Sequence, residues 1–127
     1  MTMPNPGVWF EIFVDDIARA RNFYETLLGV TLEQIPSPKD GTTRMLAFAN
    51  DHNATGIGGA LVKDQTRRPS AEGSLIYLSC DNVAEAAALA GEMGAPVYVH
   101  EQSIGAWGFI AIIGDSEGNV IGLHAER

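Results

Sequence analysis

The chain has 127 residues, enough for one hydrophobic core but too few for two independent domains. Its 8 Lys and Arg against 16 Asp and Glu give a formal net charge of −8, which disfavours nucleic acid and anionic membranes as partners. Cys80, the only cysteine, cannot form an internal disulfide, and no segment has the composition of a targeting signal or a membrane span. We therefore expect a cytoplasmic protein.

The first predicted element is a strand over residues 8–14, which are β-branched and aromatic with a single charge. Because successive side chains of a strand point to opposite faces, Trp9, Glu11 and Phe13 share one face. The opposite face carries only apolar side chains, so we expect it to pack against a helix.

An amphipathic helix is predicted over residues 17–28, where apolar side chains recur at spacings of three and four. Asp16 is a suitable N-cap, and Gly29 is a suitable residue to end the helix. Three short strands, separated by turn residues, follow at about 30–35, 43–49 and 57–63. The first half of the chain is therefore predicted to fold as βαβββ.

Residues 64–73 lack periodicity and are predicted to form a solvated connector. The same order of elements then begins again, with a strand over 75–80 and an alanine-rich helix over 83–93. Strands at about 96–100, 107–113 and 119–124 complete the second half.

The two halves form an internal repeat, because residues 15–20 lie over residues 81–86 after a shift of 66 positions. We predict one α+β domain over 1–127, made of two βαβββ modules whose curved mixed sheets surround a cleft. The predicted bounds are about 8–63 for module one, 64–73 for the connector and about 74–125 for module two.

The cleft is the expected binding site, since each sheet has one face that its own helix does not cover. Glu11 lies on that face between Trp9 and Phe13, where it can act as a general base or bind a cationic or hydroxyl group of a ligand. The alternative is a carboxylate that is paired at a sheet edge or a dimer interface.

Two further residues share the predicted cleft face. His124 alternates onto it in the last strand and is a candidate acid/base partner of Glu11, unless it is merely a partly exposed terminal histidine. Tyr77 is the counterpart of Glu11 in the repeat, and its hydroxyl can contact a ligand, although core packing of the ring is an equal alternative.

Four residues are predicted to line the ligand: Trp9, Phe13, Trp107 and His100. The tryptophans are suited to the walls of a pocket, although packing alone also explains them. His100 is predicted to end a strand before the loop 102–106, which either folds over the cleft or is solvated.

Several other features are predicted to be structural. Cys80 alternates onto the helix-covered face and is expected to be a small buried apolar residue. Residues 115–119 have the composition of a hairpin turn. Arg67 and Arg68 form one basic dipeptide in an acidic chain.

Two segments carry a resemblance to a known family: VDDIARARNFYETLLG at 14–29 and DSEGNVIGL at 115–123. Together with the paired βαβββ units, they resemble the vicinal oxygen chelate superfamily, which includes glyoxalase I, bleomycin-resistance proteins and extradiol dioxygenases. More narrowly, PNPGVWFEIFVDD, GIGGALV and GNVIGLH resemble a glyoxalase-related bacterial branch. The resemblance implies a glyoxalase-like fold over essentially the whole chain and a homodimer.

In the metal-using members of the superfamily, the first and last strands of each unit supply His and Glu ligands. Carried over by position, those places fall on Trp9, Gly59 (or Gly58), Leu75 and Gly122, none of which offers a lone pair to a divalent ion. We therefore expect no metal and no other cofactor, which argues against lactoylglutathione lyase activity.

Three functions follow from the resemblance and the residues. The first is a metal-independent, glyoxalase-related protein that binds a small molecule. As an enzyme it would be a lyase or isomerase in which Glu11, with His124 or Tyr77, transfers a proton. The second is a non-catalytic binder like the bleomycin-resistance proteins, in which Trp9, Trp107 and Tyr77 stack on a planar ligand. The third is a metal-dependent lyase or dioxygenase with displaced ligands.

Overall fold

A computed structural model describes residues 3–37, 43–49, 51 and 53–126. Within these residues, module one contains β1 (Trp9–Phe13), α1 (Ile17–Leu28), β2 (Glu33–Ile35), β3 (Arg44–Ala47) and β4 (Gly58–Lys63). Module two contains β5 (Tyr77–Ser79), α2 (Val83–Glu92), β6 (Val97–Ser103), β7 (Phe109–Gly114) and β8 (Val120–Ala125). The predicted order of elements is confirmed in both halves.

Each module forms a four-stranded mixed sheet, in the order β1-β4-β3-β2 for the first and β5-β8-β7-β6 for the second. The first and last strands of each module pair in parallel, and the remaining neighbours are antiparallel. This confirms the α+β class with two βαβββ modules, and the two sheets are not closed into a barrel.

The predicted helix ends are also confirmed. The Asp16 side chain accepts a hydrogen bond from the backbone N–H of Arg19 at 3.0 Å, and Gly29 ends α1 with φ +67°. In module two, the side chain of Asn82 accepts from the backbone N–H of Glu85 at 3.0 Å. Both helices therefore start directly after their capping residues, Asp16 and Asn82, which occupy matching positions of the repeat.

The main core lies between the sheets and their helices and includes residues of both modules, among them Ile12, Leu61, Leu78 and Leu123. Helix α1 packs against α2, so the modules meet through their helix-covered sides. The opposite face of each sheet, here called the open face, points away from this core. Among the described residues, no helix is long and apolar enough to cross a membrane.

The sixth strand is longer than predicted, which corrects the placement of His100. The strand continues to Ser103 instead of ending at residue 100, and a 3-10 turn at Gly105–Trp107 follows it. Register shifts on both sides of Val99 let this edge strand continue through polar, exposed residues. The expected loop over 102–106 is therefore partly strand and partly turn.

The register of the parallel pairs corrects the alignment of the repeat. Glu11 lies opposite Ala60, and its counterpart Tyr77 lies opposite Gly122, so Ala60 is the match of Gly122. Gly59 lies instead on the helix-covered face, where a side chain would overlap the ring of Phe10. The last strands of the two modules are thus related by a shift of 62 positions (Ala60 to Gly122), instead of the 63 that matching Gly59 with Gly122 implied.

Candidate functional site

The open face of the first sheet carries the three residues that alternation predicted. Trp9 and Glu11 are exposed and Phe13 is half-buried, while the intervening Ile12 is buried in the core. The indole Nε1 of Trp9 donates a hydrogen bond to Oε2 of Glu11 at 3.3 Å. This contact holds the carboxylate beside an aromatic surface without burying it.

A cavity of about 430 Å³ lies where this strand meets the connector and module two. We call it the inter-module pocket, and its lining includes Glu11, Phe13, Arg67, Ser74, Asn119 and Val120. Its volume is within the range of small-molecule sites. The pocket combines an aromatic ring, a carboxylate, a guanidinium and hydroxyl or amide groups, so it can contact both flat apolar and polar parts of a ligand.

Asn119 positions the inner wall of the pocket. Its Nδ2 donates to the backbone carbonyl of Phe13 and to Oδ2 of Asp115, both at 2.9 Å, and its Oδ1 accepts from the backbone N–H of Ser70 at 2.9 Å. One side chain thereby fixes module one, module two and the connector relative to one another. The hairpin turn predicted at 115–119 is present, but it also joins the modules.

Residues 64–73 are mostly exposed, as predicted for a solvated connector, but some of them also contact the rest of the fold. Asp64 is buried, and the guanidinium carbon of Arg67 lies 5.6 Å from the centroid of the Phe13 ring. This distance is typical of a cation–π contact. The basic dipeptide therefore contributes to the pocket, although no role in binding was predicted for it from the sequence.

Tyr77 and His124 lie on the open face of the second sheet, whereas Trp107 is part of the 3-10 turn and His100 of the edge strand β6. Tyr77 is 46% exposed and Trp107 is 77% exposed. Nε2 of His124 lies 2.6 Å from the backbone carbonyl oxygen of Trp107, which fixes the imidazole against the 3-10 turn. His100 lies exposed on the edge strand. These four residues are not part of the lining of the inter-module pocket.

The proposed acid/base couple of Glu11 with His124 is not formed within one chain. Glu11 lines the inter-module pocket, whereas His124 lines a different depression together with Thr55, Ser79 and Asp81. Strand alternation gives the face of a residue but does not say whether two open faces meet. The catalytic roles of Glu11, His124 and Tyr77 stay predictions.

A buried carboxylate that the sequence analysis did not single out joins the modules. Glu117 is fully buried, and its side chain accepts hydrogen bonds from the backbone N–H groups of Asp15 and Asp16 at 3.0 and 2.8 Å. Arg19 donates to it through Nε and Nη2 at 2.6 and 2.9 Å. The carboxylate thus caps the start of α1 from the other module.

The environment of Glu117 strongly favours its charged form. Burial opposes ionisation, but the hydrogen bond from Arg19, together with those from Asp16, Ser116 and Asp15, outweighs it and lowers the pKa of Glu117 from 4.5 to about 2.

The neighbouring Asp115 accepts a hydrogen bond from the hydroxyl of Tyr24 at 2.6 Å. Burial and then the charge of Asp115 raise the pKa of Tyr24 well above its usual value, so this hydroxyl stays a donor.

The positions that hold the metal in relatives do not fit a metal ion here. With the corrected register, the resemblance places the four ligand positions on Trp9, Ala60, Leu75 and Gly122. Their side chains lack imidazole, carboxylate and thiolate groups. Among the described residues, no group of three or more His, Cys, Asp or Glu is arranged to hold a metal ion elsewhere.

Comparison with known proteins relates this architecture to characterised structures. Residues 7–40 match the sequence profile of the family described as bleomycin resistance protein-like N-terminal. A glyoxalase/bleomycin resistance protein from Streptomyces sp. CB03234 is 29% identical, with a TM-score of 0.63 over 92% of this chain and 97% of its own. TnmS3, an antibiotic binding protein from the same organism, is 26% identical, with a TM-score of 0.62 over 99% and 100% of the two chains.

More distant relatives share the fold alone. Glyoxalase I from Leishmania major is 19% identical, with a TM-score of 0.70 over 97% of this chain and 88% of its own. A search of curated protein sequences gave no significant match.

The fold comprises two duplicated βαβββ modules joined through their helix-covered sides, with a cavity where the modules meet. The profile match and the structural relatives at 29% and 26% identity are of the glyoxalase/bleomycin-resistance type, that is, of the vicinal oxygen chelate superfamily, which the sequence motifs of this chain also resemble.

Proposed function

We propose that this protein binds a planar organic small molecule in the inter-module pocket without chemically changing it. The observation that carries the proposal is the pocket itself, about 430 Å³ in volume and bounded by Phe13, Glu11 and Arg67. An aromatic ring and a guanidinium next to polar groups are suited to holding a flat ligand by stacking and hydrogen bonding.

Two further observations favour binding over catalysis. The ligand positions used by metal-dependent relatives carry Ala60, Leu75 and Gly122, so those positions provide no Lewis acid site. The predicted proton-transfer pair of Glu11 and His124 lines separate cavities.

TnmS3, an antibiotic binding protein, resembles this chain over its full length, so an antibiotic is a reasonable class of ligand to test. We propose a cytoplasmic location for this activity.

The first test is a thermal-shift screen of the full chain against aromatic antibiotics and flat dyes. A ligand at one hundred times its dissociation constant should stabilise the protein by about 2.7 kcal/mol. Phe13→Ala should weaken the binding of each hit about tenfold or more, because the stacking ring is lost. Val30→Ala, on an exposed position outside the pocket, should leave the affinity within about twofold.

The same hits distinguish binding from catalysis. After incubation with the protein, mass spectrometry should recover the ligand unchanged and in full. A stoichiometric or greater yield of a new product would contradict the binding function and favour the lyase or isomerase alternative. If no planar molecule shifts the melting temperature, the proposed function is wrong.

We also propose that the protein is a homodimer. Module two exposes large apolar side chains around the open face of its sheet, with Leu75 at 41%, Tyr77 at 46% and Trp107 at 77%. The first sheet has an exposed aromatic side chain, Trp9, beside the buried cluster of Met45, Ala60 and Val62 on the same face, and one twofold rotation would set this face of each copy against the second sheet of the other. Such a pairing would also bring residues of both chains to one cleft.

Sedimentation equilibrium of the full chain tests the dimer. We expect a mass close to twice 13.6 kDa, and Trp107→Glu should shift the protein towards the monomer because it places a charge in the covered face. The matched variant Val8→Glu, also at an exposed apolar position but before β1, should stay dimeric. A wild-type monomer at all concentrations would rule out the proposal.

A further inference from the structure

We infer that the inter-module pocket selects aromatic ligands that carry an anionic oxygen group, and that Arg67 binds that group. The inference rests on the proposed function, because it assigns a ligand class to the same pocket. Its starting observation is the guanidinium of Arg67, which lies over the ring of Phe13 at 5.6 Å in the pocket lining. This position is unusual in a chain with a net charge of −8.

The guanidinium of Arg67 is available to a ligand. Three other arginines are engaged: Arg19 with Glu117, Arg21 with Glu25, and Arg68 with Asp15 at 3.6 Å. By contrast, the Arg67 side chain forms neither an ion pair nor a hydrogen bond with any residue that the structure describes. Its five N–H donors are therefore open to a carboxylate, a sulfonate or an ionised phenol.

The contact with Phe13 also orients the guanidinium. A planar group that packs on an aromatic ring loses rotational freedom before the ligand arrives, so less entropy is lost on binding. The ligand ring can then pack on the apolar lining, which includes Phe13 and Val120, while its anionic group meets the N–H donors. The hydroxyl of Ser74 adds a further donor to this lining.

Two carboxylates in the lining restrict where an anionic group of the ligand can bind. Glu11 and Glu72 also line the pocket and repel an anionic group placed near them. The anionic group is therefore confined to the part of the pocket near Arg67, and neutral rings or hydroxyl donors face the carboxylates. A ligand whose only charge is positive would leave the guanidinium without a partner.

The test uses two dyes with the same ring system, of which only one is charged. The sulfonate dye 8-anilino-1-naphthalenesulfonate is the anionic probe, and the neutral N-phenyl-1-naphthylamine is its control. Fluorescence titration of the wild-type chain, Arg67→Gln and Arg44→Gln gives six dissociation constants. Arg44 is exposed on β3, outside the pocket, so it controls for the loss of one positive charge.

We expect Arg67→Gln to weaken the binding of the sulfonate dye about tenfold, which is the usual contribution of one charge-assisted hydrogen bond. The dissociation constant of the neutral dye should stay within about twofold of the wild-type value. Arg44→Gln should leave the dissociation constants of both dyes within about twofold of the wild-type values. Ser74→Trp, which fills the pocket, should abolish the binding of both dyes.

The other outcomes separate the two proposals. If both dyes bind but Arg67→Gln affects them equally, or affects neither, the assignment of Arg67 is wrong while the binding function stands. If the sulfonate dye still binds to a folded Ser74→Trp variant, the dye occupies another surface and the assignment is again wrong. If neither dye binds to the wild-type chain, the proposed function fails, and this inference fails with it.

Discussion

Replacing Glu117 by alanine should lower the free energy of unfolding by about 3 kcal/mol, because several buried donors lose their acceptor together. The carboxylate is fully buried and accepts from the backbone of Asp15 and Asp16 and from Arg19. No other side chain of the described residues accepts from those two backbone groups. The urea midpoint of unfolding measures the loss.

Glu92→Ala is the matched control, since Glu92 is an exposed carboxylate at the end of α2 and its loss should change the stability by less than about 0.5 kcal/mol. The effect of Glu117 should also depend on pH. Because folding lowers the pKa of Glu117 from 4.5 to about 2, its stabilisation is present above pH 4.5 and is lost as the pH falls towards 2. The difference between wild type and Glu117→Ala should shrink over that range, and a constant difference would contradict the assignment.

The second large effect is expected at Gly108, which follows the 3-10 turn. Its backbone has φ +104°, and a Cβ atom there would overlap the carbonyl oxygen of Ala125 and lie 2.9 Å from Cα of Glu126. Both neighbours are backbone, so neither can rotate away. Gly108→Ala should therefore cost about 3 kcal/mol in urea unfolding, from backbone strain and steric overlap together.

Gly105 in the same turn separates these two causes. It also has positive φ, at +74°, but a Cβ atom there would meet nothing within 4 Å. Gly105→Ala should consequently cost only about 1 kcal/mol, from strain alone. Equal losses in the two variants would mean that the overlap at Gly108 is relieved by a small shift of β8. The emission of Trp107 reports whether the turn itself has moved.

The sequence predicted the local features of this fold well, since local signals determine them. Asp16 and Asn82 mark the helix starts because a capping side chain must lie three residues before the N–H that it accepts from. The alternation of residues 9–13 gave the face of each side chain correctly, and the repeat gave the order of strands. These predictions required only periods of two, three and four residues.

The features that the sequence did not reveal depend on contacts between distant segments. Glu117 lies about one hundred residues from the helix that it caps, and residues 115–119 have the composition of an ordinary hairpin turn. The stacking of Arg67 on Phe13 likewise depends on how the connector crosses the first sheet. Neither contact follows from a period or a spacing, because both depend on how the two modules are packed.

The sequence therefore located one half of the candidate site. Glu11 and Phe13 were predicted to face a cleft and do line the pocket, whereas Arg67, Ser74 and Asn119 were not singled out. Tyr77 and His124, on the other open face, and Trp107, in the 3-10 turn, are not among the residues that line the pocket. Alternation assigns a residue to one of two faces, but a cavity is formed by what lies opposite that face.

The capping of α1 by Glu117 makes the two duplicated halves unequal. Helix α2 has an acidic residue of its own, Glu85, in its first turn, whereas the first turn of α1 has none and contains the cation Arg19. A helix N-terminus favours negative charge; α1 has its charged cap Asp16 and the carboxylate of Glu117 from the other module, whereas α2 has the neutral cap Asn82 and its own Glu85. Module one expressed alone would lose the buried carboxylate that pairs with Arg19, and only Asp15 and Asp16 would remain to interact with that charge.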